Sequence, residues 1–164
     1  MNRSQILPAL QLSTRAAVSA AVALATAQLL QLDTPIFAMV AAVVVTELTA
    51  AQTRELALRR LAGTVLGATT GALLSYVVPA GPLAVGVSIL VAMFLSHLFR
   101  IEAAARLTGF VCGLVVLAYG DHPWAHALDR TLETMLGIGA AYMVSHVPKL
   151  TGPKPPEPPE RPDG

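Results

Sequence analysis

Residues 57–77 read ALRRLAGTVLGATTGALLSYV, and residues 127–147 read ALDRTLETMLGIGAAYMVSHV. Superposed at a shift of 70, they agree at eight of twenty-one positions: Ala57, Leu58, Arg60, Thr64, Leu66, Gly67, Ser75 and Val77 meet Ala127, Leu128, Arg130, Thr134, Leu136, Gly137, Ser145 and Val147. Apolar composition inflates such a count, so the weight falls on the polar and glycine matches. These share the pattern R-x-x-x-T-x-L-G. The competing explanation is chance similarity between two helices rich in small residues. A true repeat of this period divides the chain into halves, and the rest of the sequence is read against that division.

Composition sets the solvent. Hydrophobic residues make up 54% of the 164 and charged residues 13%, against about 25% charged in ordinary soluble domains. Mean hydropathy is +0.62. So few charges leave a soluble surface unwetted, and the composition fits an integral membrane protein. The net charge is +1. No basic block exists to neutralise a row of phosphates, which argues against a nucleic-acid partner. Cys112 is the single cysteine, so an intrachain disulfide and a multi-cysteine metal site are excluded. Its apolar setting suits a small buried hydrophobe.

Apolar segments fall near 16–32, 36–50, 61–78, 83–99, 104–119 and 131–147. A spanning helix needs about 20 residues, with a range of about 17–25. The second segment is short, and its helix is expected to continue into Ala51–Leu58. Ten-residue alternation of the barrel kind is absent from the pattern. Arg3 and Arg15 before the first segment, with Ala25-Thr26-Ala27 inside it, imitate a signal peptide. The apolar stretch runs past Ala27 and five more follow, so an inserted helix is the simpler reading. The expectation is an all-α membrane protein with six transmembrane helices.

Turn signals at Pro35, Pro79–Pro82, Gly120–Pro123 and Pro148 separate these segments. Arg54, Arg59 and Arg60 fall in one loop, Arg100 and Arg106 in another, and Lys149, Lys154 and Arg161 after the last segment. The connections 33–35 and 79–82 hold no Lys or Arg. The positive-inside rule then puts both termini in the cytoplasm. Arg130 is the exception, on the outer side. The repeat accounts for it: each half holds three helices, an odd number, so the halves are inverted in the membrane and Arg130 is the outward copy of Arg60. Inverted 3+3 repeats are common in transporters. Residues 1–148 are expected to form one six-helix domain. Residues 149–164, with six prolines in sixteen, are expected to form a disordered cytoplasmic tail of polyproline character.

Several residues are candidates for chemistry. Gly63, Gly67 and Gly71 share one helix face, and with Gly137 they read as a seam where helices approach closely. Glu47 lies eleven residues into the second helix from Ile36, about 16 Å along the axis. An acid at that depth costs about 2.5–3.5 kcal/mol on insertion scales. Glu47, flanked by Thr46 and Thr49, is therefore read as a proton-coupling or substrate-contacting group. The alternative is a helix that bends near Leu48, leaving Glu47 to pair with Arg54, Arg59 or Arg60. Arg60 and Arg130 are candidates to attract an anionic substrate, with Glu133 able to pair with Arg130 at i, i+3. Gln28 and Gln31 read as interhelical glue, and His97 as interfacial. Asp121, His122 and His126 are a weak metal pattern, because Pro123 disfavours helical ligand spacing, and no metal is expected. Nucleophile–base sets and P-loops are absent from the sequence, so neither an enzyme nor a cofactor is expected.

The run from Asp33 to Leu74, DTPIFAMVAAVVVTELTAAQTRELALRRLAGTVLGATTGALL, resembles the fusaric-acid-resistance-like (FUSC), or aromatic acid exporter, family. The resemblance rests on Thr34, Pro35 and Phe37 opening the second helix, a polar break, and R-x-x-G-T-x-x-G at Arg60, Gly63, Thr64 and Gly67. Arg130, Thr131, Thr134, Gly137 and Ile138 are similar to the family's sixth helix. The resemblance implies a multi-pass protein of the bacterial inner membrane that exports aromatic carboxylic acids. The 164 residues read as one module, where bigger members often have two and a large cytoplasmic domain besides. A homo-oligomer, dimer or higher, is thus the expected partner state, alongside the lipid bilayer and a small organic anion. The expected function is secondary transport of small aromatic or related acids. The alternative is a non-transporting scaffold or accessory subunit of an efflux assembly.

Overall fold

The computed structural model describes residues 3–78, 81–117 and 122–147. The proline-rich tail, Pro79, Gly120, Asp121 and Pro148 lie outside the described residues. All regular structure among the described residues is helical: α1 (Arg3–Leu29), α2 (Ile36–Val45), α3 (Ala50–Leu74), α4 (Pro82–Leu98), α5 (Ala105–Leu117) and α6 (Pro123–Ser145). A single 3₁₀ turn, Glu102–Ala104, leads into α5.

The six helices follow the six apolar segments, but their boundaries differ in informative ways. α2 stops at Val45, and Ala51–Leu58 belong to α3 instead. The reason is local competition for backbone hydrogen bonds. The Thr46 hydroxyl donates back to the Ala42 carbonyl at 2.7 Å, and the Thr46 backbone turns extended. The Glu47 N–H donates to the Thr53 hydroxyl at 3.1 Å. The Thr49 hydroxyl then accepts from the Gln52 N–H, capping α3. α1 also begins earlier than its apolar segment, at Arg3, so Arg15 lies inside the helix rather than flanking it.

Among the described residues, only the stretch Ile6–Leu29 is, by itself, both long and apolar enough to cross a membrane. α2 has ten residues and α5 thirteen, about 15 and 20 Å of helix. Six full-length apolar spans are therefore not what the helices supply one by one. The two short helices are each other's counterparts at the 70-residue shift.

The distribution of side chains is inside-out for a soluble protein. The buried hydrophobics are Ala, Val and Cys112. Among the described residues no Leu, Ile, Met, Phe, Tyr or Trp is buried, while Leu29, Leu83, Leu90, Phe94 and Leu117 are each at least 65% exposed. Packing of this kind brings helix backbones together through small residues and leaves large apolar side chains for lipid. Some buried hydroxyls return their hydrogen bonds to the helix, Ser96 to Ala92 and Thr108 to Ala104, while those of Ser19 and Ser88 have no partner.

The third helix of each half does not pack chiefly on its sequence neighbours, although α1 packs on α2 and α4 on α5. α3 packs chiefly on α5 and α6, and α6 on α3, α2 and α1, while α2–α3 and α5–α6 contacts are sparse. Each half thus sends its third helix into the other half. The glycines make this possible, and they do so in register. A Cβ added at Gly67 would run into the Thr108 carbonyl, Val111 and Cys112 of α5; one added at Gly137 would run into the Ala38 carbonyl, Ala41 and Ala42 of α2. These two contact sets are related by the same shift of 70. Gly63 and Gly71 continue the seam along α5, against Ala104 and against Cys112 and Val115. α3 and α6 cross where the Thr64 and Thr134 hydroxyls meet at 3.4 Å, a residue touching its own repeat partner.

α1 and α4 also end alike. Gln31 (φ 53°) and Arg100 (φ 58°) take left-handed conformations. The Leu32 and Ile101 N–H groups reach back to Ala27 and Ser96, closing both helices with a Schellman turn.

Candidate functional site

Two cavities flank the Thr64–Thr134 contact. The first, of about 170 Å³, is lined by Asp33, Thr34, Phe37, Leu114, Val115, His126, Asp129 and Arg130. The second, of about 190 Å³, is lined by Val44, Leu56, Arg59, Arg60, Ala103, Ala104 and Leu107. Adding 70 to Val44, Leu56, Arg59 and Arg60 gives Leu114, His126, Asp129 and Arg130. Subtracting 70 from Ala103, Ala104 and Leu107 gives Asp33, Thr34 and Phe37. Every lining position of the second cavity therefore has its counterpart in the first. α3 and α6 cross in opposite directions, with Ala57 and Ala141 in one buried cluster and Ala68 and Ala127 in another. Arg60 and Arg130 each precede the central threonine by four residues, about 6 Å along the helix axis. The arginines accordingly sit on opposite sides of it.

The Arg130 cavity is the more polar. Glu133 is fully buried, and its carboxylate lies 3.0 Å from the Arg130 guanidinium. The Thr34 hydroxyl donates to the same carboxylate at 2.7 Å. The Phe37 ring lies 3.8 Å from the guanidinium carbon, a cation–π contact. A buried carboxylate is tolerated here because it is paired and hydrogen-bonded. Thr34 and Phe37 are brought to this point by Pro35, which starts α2 directly between them.

In the Arg60 cavity the corresponding positions are stripped of acids and acceptors. Gly63 stands where the other half has Glu133, Ala104 for Thr34, Leu107 for Phe37, and Arg59 for Asp129. Arg59 pairs outward with Glu55 on its own helix. The Arg60 Nε is buried without a hydrogen-bond partner, and Arg60 makes no ion pair among the described residues.

The predicted site residues therefore separate. Arg60 and Arg130 come to two matched cavities. Glu47, Thr46 and Thr49 come to neither: they lie in the α2–α3 break, where Glu47 is half-buried and forms no ion pair among the described residues. Gly63, Gly67, Gly71 and Gly137 form the seam that holds α3 on α5 and α6 on α2. No cluster of metal-ligating side chains occurs among the described residues.

Sequence reasoning gave Glu133 only a structural pairing and missed Thr34 as its partner across the fold. It also misplaced Arg15, which is fully buried and donates from Nη1 to the Leu48 carbonyl, tying the break to α1. A lone arginine before an apolar run carries no signal that distinguishes a flank from an interior.

A family model for fusaric acid resistance protein-like sequences matches residues 20–144. The chain belongs to that family. No curated protein and no solved structure gives a match. The fusaric acid resistance protein-like family is a membrane family, associated with transport and resistance rather than with catalysis. The matched region includes both cavities, the glycine seam and the threonine crossing, so the features described above are features of its family domain.

Proposed function

We propose that the chain is a multi-pass transporter of the bacterial inner membrane that exports small organic acids, aromatic acids among them. In this reading it works as a six-span, 3+3 inverted repeat with both termini in the cytoplasm. The observation that carries the reading is the matching of the two cavities. An inverted repeat turns two such cavities to opposite faces of the membrane, near its midplane, and exchanging which one is open moves a solute across. The short α2 and α5 fit this arrangement, since each begins beside a cavity and leaves the depth on one side of it unfilled. The neighbouring helices and the apolar outer surface supply the rest of the span.

A small acid needs a cation in a setting of low dielectric, and each cavity has one arginine from the repeat motif. For ion coupling we choose Glu133 over Glu47, because Glu133 pairs directly with the cavity's Arg130 and Glu47 touches neither cavity. The test is flux of a panel of labelled aromatic acids in vesicles containing the purified protein, with and without a pH gradient. Gradient-dependent flux that empty vesicles lack is the expected result. A folded protein that moves none of the panel would overturn the reading in favour of an accessory subunit.

A further inference from the structure

The two cavities share a scaffold but not a charge. Around Arg130 stand Asp33, Asp129 and the buried Glu133. Around Arg60 stands a second arginine, Arg59, and no acid lines the cavity. Glu133 thus shows what the repeat's arginine binds when a carboxylate is within reach. At Arg60 the same scaffold has the arginine and an unpartnered Nε, while Gly63 replaces the acid and is packed against Ala104 and Leu107.

From this we infer that the Arg60 cavity is the binding site for the transported acid, and that the substrate's carboxylate pairs with Arg60 from the cavity as the Glu133 carboxylate pairs with Arg130. The Arg130 cavity is its self-occupied copy, in which the chain's own carboxylate holds the arginine and Asp33 and Asp129 repel an arriving anion. The inference rests on the transport reading for its direction: an acid captured at the cationic cavity on the cytoplasmic side is released through the acidic one. The ligand class follows from size as well as charge. A dry cavity of about 150 Å³ accommodates a benzene ring, and the Arg60 cavity has about 190 Å³ with Leu56, Val44 and Leu107 as apolar walls. A one-ring monocarboxylate fits that description.

The experiment is equilibrium binding of benzoate, with benzamide as the uncharged control, to the full-length protein in phosphatidylcholine nanodiscs. One benzoate per chain is expected, with benzamide at least tenfold weaker. Arg60→Gln should weaken benzoate at least tenfold, Arg60→Lys should restore part of it, and Arg54→Gln, outside the cavity, should leave it unchanged. Should Arg60→Gln fail to fold, Val44→Trp, which fills the rim from a largely exposed position, must weaken benzoate in its place. The inference is overturned if a folded Arg60→Gln protein binds benzoate as wild type does. It is also overturned if anionic phosphatidylglycerol in the disc displaces benzoate at the site, which would make it a lipid-phosphate site. Vesicle flux separates this from the broader reading. Flux with Arg60-independent binding sinks only the site, and Arg60-dependent binding without flux sinks only transport.

Discussion

The Arg60 and Arg130 cavities are built on one plan and finished in opposite ways. Both have a repeat arginine one turn from the threonine crossing, and both abut the start of a short helix. One arginine is buried with a carboxylate, a threonine hydroxyl and an aromatic face; the other has an unpartnered Nε among apolar walls. The difference lies in the side chains and not in the helix frame. The scaffold is kept at Gly67 and Gly137, where a helix backbone lies directly against each glycine, and changed at the positions that line the cavities, such as Arg59 and Asp129 or Ala104 and Thr34. Packing constrains the first pair because a side chain there would displace a backbone carbonyl. No such backbone contact fixes the cavity-lining positions.

The largest expected difference between the cavities is in stability. Glu133→Ala leaves the Arg130 guanidinium without its counter-charge, and removing one partner of a buried pair costs about 3–5 kcal/mol. Arg60→Gln removes a charge that has no partner, so its unfolding midpoint in detergent should match or exceed that of wild type. Equal losses from the two substitutions would break the contrast.

The seams, unlike the cavities, should behave alike. Gly67→Leu and Gly137→Leu each force a side chain against a carbonyl of the facing helix, and overpacking of this kind costs about 1–3 kcal/mol or more. Gly139→Ala, with open space at its Cβ, should be nearly silent in the same unfolding assay. A tolerated Gly137→Leu beside a destroyed Gly67→Leu would show that the two seams are not equivalent.

Coupling provides a third comparison. Glu133→Gln should lower pH-gradient-driven flux of an aromatic acid at least tenfold per folded molecule, and Glu47→Gln should leave it within about twofold of wild type. Tenfold corresponds to about 1.4 kcal/mol in the barrier. The reverse pattern would return coupling to the α2–α3 break. The smallest effect is at the crossing itself. Thr64→Val and Thr134→Val should each cost about 0.6 kcal/mol, the average for a hydrogen bond between membrane helices. The double variant should lose little more than either alone, since the two hydroxyls share one bond.

Much of this plan was legible in the sequence. The shift of 70 found from R-x-x-x-T-x-L-G also relates the glycine contacts and both cavity linings, although these involve residues that differ between the halves. Arg60 and Arg130 could be named because arginine is rare in apolar helices and recurs here at matched positions; Gly67 and Gly137 recur with it, and Gly63 and Gly71 share the face of Gly67 at a spacing of four. The α2–α3 break was less legible, since Thr46 and Thr49 are common in membrane helices and only their geometry shows that they terminate one helix and cap the next. Glu133 was hidden for a different reason. Its partner Thr34 is ninety-nine positions away, and no local spacing reports a contact made by exchanging a helix between halves.

The central claim is that the two matched cavities open to opposite sides of one membrane. The chain makes a direct test simple, because Cys112 is its only cysteine and one substitution, Cys112→Ser, gives a cysteine-free background. Thr34→Cys and Ala104→Cys, at matched positions in the two cavities, would be placed singly in that background and challenged in sealed, oriented vesicles with a membrane-impermeant thiol reagent. The account predicts that the reagent reaches position 34 from the outer face and position 104 from the cytoplasmic face. Labelling of both positions from the same face would contradict it.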